Sequence, residues 1–251
     1  MGDQAKLLRE MTVKQPVSVG HRAVVKVPEV SNAGAVSLYL AAGVNTDIVR
    51  MLVDAAGMCD QRAITLDWDG LGITGGFGPG ASVSAVSNVS LLRSGILNPN
   101  TRVIELGGER WWNSRTATQR RSLVNELRAV QPLADLWVLL RRKIDALTCS
   151  TGQALIVLPA RPESLVETYA AMKAHRNALS KVSLSVAVSG VGNERDAALR
   201  LSVMFDKYLG LDVRPVCLNA EALRSELMES WSKGSGLRGL LAGLSTQMAV
   251  K

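Results

Sequence analysis

Cysteine is scarce in this chain. There are three, Cys59, Cys149 and Cys217, odd in number and far apart. No two stand at a Cys-x-x-Cys spacing, so neither a disulfide framework nor a thiolate zinc site is supported, and a reducing, cytoplasmic setting is expected. The two histidines, His21 and His175, cannot be tied to a serine or cysteine nucleophile by spacing and are read as structural. Aromatic residues make up only 4%, so aliphatic side chains must fill the core, which favours parallel strands covered by helices. No uncharged apolar run approaches the roughly 20 residues that a spanning helix needs, and the opening residues are too polar to be read as a secretory leader.

The 251 residues suit one large α/β domain or two small ones and can bury a core without disulfides or metals. The formal net charge of +7 is compatible with nucleic acid, anionic lipid or an acidic partner. A generally basic soluble surface explains it equally well, because the charges are scattered apart from short clusters such as Arg120-Arg121 and Arg141-Arg142-Lys143.

Along the chain, Asp3 to Met11 has the spacing of an amphipathic helix, with Pro16 closing the segment. Val19 to Val27 alternates and predicts a strand stopped by Pro28; Ser31 to Ala42 and Asp47 to Gly57 predict helices. Arg62 to Leu66 predicts a short strand that ends at Asp67-Trp68-Asp69, ahead of a glycine-rich stretch from Gly70 to Gly80. A phosphate loop needs a lysine and a hydroxyl just after its glycines; none follows, so a surface loop is expected. Further strands are predicted at Thr101 to Leu106, Leu136 to Leu140, Ala154 to Leu158, Val182 to Val188 and Leu211 to Cys217. Helices are predicted at Ala117 to Ala129, within Arg141 to Cys149, from Pro162 to about Leu179, at Asn193 to Leu209 and at Glu221 to Trp231. Trp111 and Trp112 cannot both face one core from a strand and are read as a loop plug.

This alternation predicts an α/β fold, a doubly wound, mostly parallel sheet with helices on both faces. Ligands bind such sheets outside the carboxyl ends of the strands. Asp67 and Asp69 stand at one such end, either as paired carboxylates for a metal or, lacking a third ligand, as a loop cap. The expected organisation is an amphipathic partner-binding helix over 1–15, the α/β domain over 16–231, and a hinge with an amphipathic tail over 232–251. In the tail, Leu237, Leu240, Leu241, Leu244 and Met248 recur at helical spacing behind Lys233 to Gly236.

Three stretches carry a family resemblance. Asp3-Gln4-Ala5-Lys6-Leu7-Leu8-Arg9 resembles the DQAxxLR motif at the N-terminus of the flagellar MinD-like ATPases (the FlhG/FleN family), with Asp3, Gln4, Ala5, Leu8 and Arg9 in register. The run from Ile156 to Lys173 is similar to that family's strand, proline loop and helix, matching at Pro162, Glu163, Tyr169 and Lys173. Ala63 to Gly72 resembles the family's "vlllDaDlGlaN" strand. The resemblance implies a MinD/ParA-type fold. It also implies a partner, an SRP-type flagellar GTPase (FlhF-like), toward whose nucleotide Gln4 would reach while Leu8 and Arg9 dock the helix. It implies for the tail a membrane-targeting helix; its few cations and three glycines leave docking on the domain, or disorder, equally open.

The departures bear on chemistry. The family's phosphate loop reads KGGVGKT after the first strand, whereas Val24 to Ala35 offers one glycine, a proline without an N–H and Glu29; Lys26 alone could meet a phosphate. Where the family has Asp-Thr-Gly-Ala-Gly, this chain has Arg141-Arg142-Lys143 after Leu136 to Leu140, and Ser189 stands for the adenine-reading asparagine. Lys26, Asp67, Asp69, Pro162 and Ser189 are therefore expected to form a vestigial nucleotide site with no cofactor. The expected function is a non-catalytic regulator or scaffold of flagellar number and placement, cytoplasmic with a polar or membrane-peripheral position, whose partners include the GTPase and a transcriptional activator or basal-body protein. Two rival readings stand beside it. One is an ATP- and magnesium-binding switch with an unconventional loop that uses Lys26, Asp67 and Asp69. The other is a ParA-type nucleic-acid binder, ranked last for want of a groove-reading motif.

Overall fold

The computed structural model describes residues 33–73, 82–84, 101–231 and 236–246. Eight strands lie among them: β1 (Gly34–Leu40), β2 (Ala63–Asp67), β3 (Ser82–Ser84), β4 (Val103–Glu105), β5 (Leu136–Arg141), β6 (Gln153–Pro159), β7 (Ser183–Ser189) and β8 (Val213–Pro215). They form one sheet in the order β3-β4-β2-β5-β1-β6-β7-β8, and every neighbouring pair is parallel. The helices are α1 (Asp47–Gly57), α2 (Gly108–Asn113), α3 (Ala117–Val130), α4 (Ala146–Cys149), α5 (Pro162–Ala174), α6 (Arg176–Leu179), α7 (Glu194–Leu209), α8 (Ala220–Glu226) and α9 (Gly236–Thr246). The chain leaves β1 toward β2 on one side and β6 toward β7 on the other, so the connections diverge at the carboxyl ends of β1 and β6. Crevices in open α/β sheets form at such points.

Strand parity sorts the core into two layers. Leu38, Leu40, Val138 and Leu140 face a cluster completed by α1, α5, α7 and α8 through Leu52, Met172, Phe205 and Leu223. Trp137, Leu139, Ile64 and Leu66 face the other, completed by α2, α3 and α9 through Trp112, Leu127 and Leu240. Each fully buried large side chain contributes about 1.5–3 kcal/mol. Local signals agree with these boundaries. Thr116 and Gln119 form a reciprocal capping box at α3, Asp145 and Thr148 another at α4, and Asn193 caps α7.

Several expectations are corrected. The segment Ser31 to Ala42, predicted as a helix, contains the central strand β1. All seven of its residues are buried, and a short apolar run between two neighbours carries no period that tells strand from helix. Gly34 and Ala35 consequently lie inside a strand and not in a loop. The helix predicted from Pro162 to Leu179 breaks at His175, which ends α5 and precedes α6. Trp111 and Trp112 sit on a short helix, α2, rather than in a loop. The expectations placed on Asp3, Gln4, Ala5, Leu8, Arg9, Lys26, the strand Val19 to Val27, and Met248 lie outside the described residues.

The tail helix α9 belongs to the domain. Leu237, Leu240, Leu241 and Leu244 are at most 5% exposed, so of the alternatives left open for this segment the structure shows the docked one, its apolar face covered by the chain's own sheet and helices. Its glycines permit this. A Cβ on Gly239 would overlap the carbonyl oxygen of Ser150, one on Gly236 would come within 2.8 Å of the amide nitrogen of Ala35, and one on Gly243 within 2.7 Å of the Ser150 side chain. No helix among the described residues is long and apolar enough to cross a membrane.

Candidate functional site

The carboxyl ends of β2, β5 and β1 carry a network of charged side chains. Asp67 closes β2 and is fully buried. One of its carboxylate oxygens accepts the N–H of Gly72 at 3.1 Å; the other has no partner. Burial pushes the Asp67 carboxyl above the ordinary carboxylate value, against the pull of backbone N–H groups at Leu71, Gly72 and Gly70; the charge of Asp69 adds to the rise. Glu105 stands opposite Asp67 on β4 and is raised in turn by burial and by Asp67.

Asp69 turns to the other side. It accepts the backbone N–H of Arg142 and pairs with the Arg141 guanidinium at 3.5 Å. Arg141, at 2% exposure, also makes a two-pronged ion pair with Asp145, 3.0 and 2.6 Å, and lies 5.8 Å from the centre of the Trp68 ring. A buried cation held by two carboxylates and an aromatic face is satisfied in place. Trp68 in turn meets Trp112 with ring centres 5.2 Å apart. Asp67 therefore serves its own loop, and Asp69 is committed to two arginines. Among the described residues no three His, Cys, Asp or Glu side chains converge on one point.

The turn leaving β1 runs Ala41-Ala42-Gly43-Val44-Asn45-Thr46 into α1. Arg142 crosses to it and donates to the carbonyl oxygens of Leu40 at 3.0 Å and Ala41 at 2.7 Å. Asn45 accepts the N–H of Asp47 at 3.0 Å and donates to its carboxylate, so one of the free N–H groups that begin α1 is already bonded. Gly43 has φ +85°, and the Arg161 guanidinium lies against it, 3.3 Å from where a Cβ would stand.

Of the residues the sequence singles out, Asp67 and Asp69 are neighbours here. Pro162 opens α5, and Ser189 ends β7, its hydroxyl donating to the Leu158 carbonyl at 3.4 Å. Both of these stand on the far side of β1 from the aspartates. The contact of Arg142 with the β1 turn is not legible in the sequence, since the partners are 101 and 102 residues apart and nothing local marks them. Cys149 is half-buried, and burial together with Asp145 pushes its thiol up to about 11, which leaves it protonated and unreactive at neutral pH.

No family model matches the chain, and no curated protein is a significant match to it. Among solved structures it is similar to a ParA family ATPase from Chlorobium tepidum TLS, with 11% identity over 88% of this chain and 99% of that one, at a TM-score of 0.44. It is also similar to the MinD cell division protein of Aquifex aeolicus, with 11% identity over 87% of this chain and 98% of that one, at 0.45. Neither likeness assigns a role to any residue here.

Proposed function

We propose that the chain is a non-catalytic protein of MinD/ParA type that works by holding partners, its nucleotide space closed by its own side chains. The observation that carries this reading is Arg142, bound to the carbonyls of Leu40 and Ala41 at the turn that leaves the central strand. In the resembled family that turn reads KGGVGKT, and it holds phosphates with lysines and free backbone N–H groups. Here the corresponding residues are Ala41-Ala42-Gly43-Val44-Asn45-Thr46-Asp47. Gly-Val survives, both lysines are gone, and a carboxylate follows. A magnesium ion would have to take Asp69 from Arg141 and from the Arg142 N–H. Phosphoryl transfer depends on positioning and charge stabilisation, and the groups that supply them are absent or engaged.

The N-terminal Asp3, Gln4, Ala5, Leu8 and Arg9 support an SRP-type GTPase as partner, and with it a role in flagellar number or placement at the cell pole. The test is the GTPase rate of such a partner with the full chain and with a peptide of residues 1–12. Both are expected to stimulate hydrolysis, and Gln4→Ala is expected to abolish the effect. An unchanged rate at saturating full chain and peptide rejects the activator role.

A further inference from the structure

A cavity of about 530 Å³ opens between the start of α5 and the start of α7, at the carboxyl ends of β6 and β7. That volume is in the range of small-molecule sites. Leu158, Leu165, Val188 and Leu201 make its interior apolar, and Arg161 and Arg200 reach its wall. Neither arginine forms an ion pair among the described residues. The lining holds one carboxylate, Asp196, which accepts from the Asn193 side-chain amide at 2.6 Å. The cavity therefore presents an apolar interior with two guanidinium groups, outside any ion pair among the described residues, against a single carboxylate.

We infer that this cavity binds a small amphiphilic carboxylate, its apolar body against Leu158, Leu165, Val188 and Leu201 and its anionic head at Arg161 and Arg200. Apolar burial supplies most of the affinity. Charge-assisted, two-pronged hydrogen bonds from arginine select a carboxylate over a neutral head of the same length. Arg161 also covers Gly43, so the bound head would lie beside the turn that leaves β1.

The test uses the full chain and the fluorescent amphiphilic anion 8-anilinonaphthalene-1-sulfonate, displaced by dodecanoate or by dodecanol below micelle-forming concentrations. Dodecanoate is expected to displace the probe at one site, and dodecanol roughly tenfold less well. The double variant Arg161→Gln/Arg200→Gln, which alters exposed side chains, is expected to lose that preference, and Arg161→Lys/Arg200→Lys to keep part of it. Ala197→Phe, filling the cavity, is expected to abolish displacement by both competitors with melting temperature retained. Equal displacement by acid and alcohol in the unaltered chain overturns the inference, as does dodecanoate affinity unchanged in the glutamine pair. Displacement by ATP at micromolar concentration also overturns it, by giving the cavity to a nucleotide.

Discussion

Substituting Gly239 by alanine isolates what holds α9 to the domain. In a solvated helix the change would stabilise, since alanine exceeds glycine by about 1 kcal/mol in helix propensity. Here the new methyl group would overlap the carbonyl oxygen of Ser150, a backbone atom in the segment between α4 and β6 that cannot rotate away. Relief requires α9 to lift, which loosens Leu237, Leu240, Leu241 and Leu244 against Trp137, Leu139 and Leu147. Overpacking costs about 1–3 kcal/mol and sometimes more; a methyl group overlapping a backbone oxygen belongs in the upper part of that range, about 2–3 kcal/mol, so after the propensity gain the expected net loss is about 1–2 kcal/mol. For a chain of this length that is a fall in Tm of roughly 2–8 °C. Gly57→Ala is the control, because a Cβ there meets nothing within 4 Å and the variant is expected to be neutral or stabilised by up to about 1 kcal/mol. Urea denaturation followed by tryptophan fluorescence reads both, and amide exchange over residues 236–246 localises the effect. A Gly239→Ala chain as stable as the unaltered one, with unchanged exchange in α9, would refute the reasoning.

Arg142→Gln removes the cation that ties the β1 turn to β5. Stability is expected to fall by about 1–2 kcal/mol in urea, without any gain of ATP binding, because no lysine stands in the turn to replace it. Asp67→Asn is expected to raise Tm at pH 7. The folded-state pKa of Asp67 lies above its ordinary value of 3.8, chiefly through burial. The protonated form is therefore the one the fold favours, and its stabilisation is present below that value and lost as pH rises through the raised one. The advantage of the asparagine should shrink as the solution is acidified toward pH 4, which a series of melting curves would follow.

Much of the sheet is legible in the sequence. β2, β5, β6 and β7 are apolar runs bounded by turn residues, and α3 and α7 begin at hydrogen-bonding caps. β1 is not legible, because Gly-Ala-Val-Ser-Leu-Tyr-Leu is buried throughout and shows no alternation. The alternating stretch Val19 to Val27, which lies outside the described residues, takes the first-strand reading in the sequence, and Ser31 to Ala42 is read as a helix instead. At the site, Arg141-Arg142-Lys143 is visible in the sequence as a cluster of positive charge. What these arginines bond to is fixed by strand order, which no local pattern encodes. The glycines of α9 show the opposite failure. They read as weakness in an isolated helix, yet the close approach to Ser150 requires them. Trp111-Trp112 reads as an oddity until the fold sets the Trp68 ring 5.2 Å from that of Trp112.

Whether the space outside β1 and β5 takes a nucleotide separates a partner-holding protein from a nucleotide switch. Isothermal titration of the full chain with ATP and with ADP, each with magnesium, tests it directly. No binding heat at millimolar nucleotide is the predicted result. Saturable binding at micromolar concentration, one nucleotide per chain, would contradict the account and return the protein to the nucleotide-driven switches.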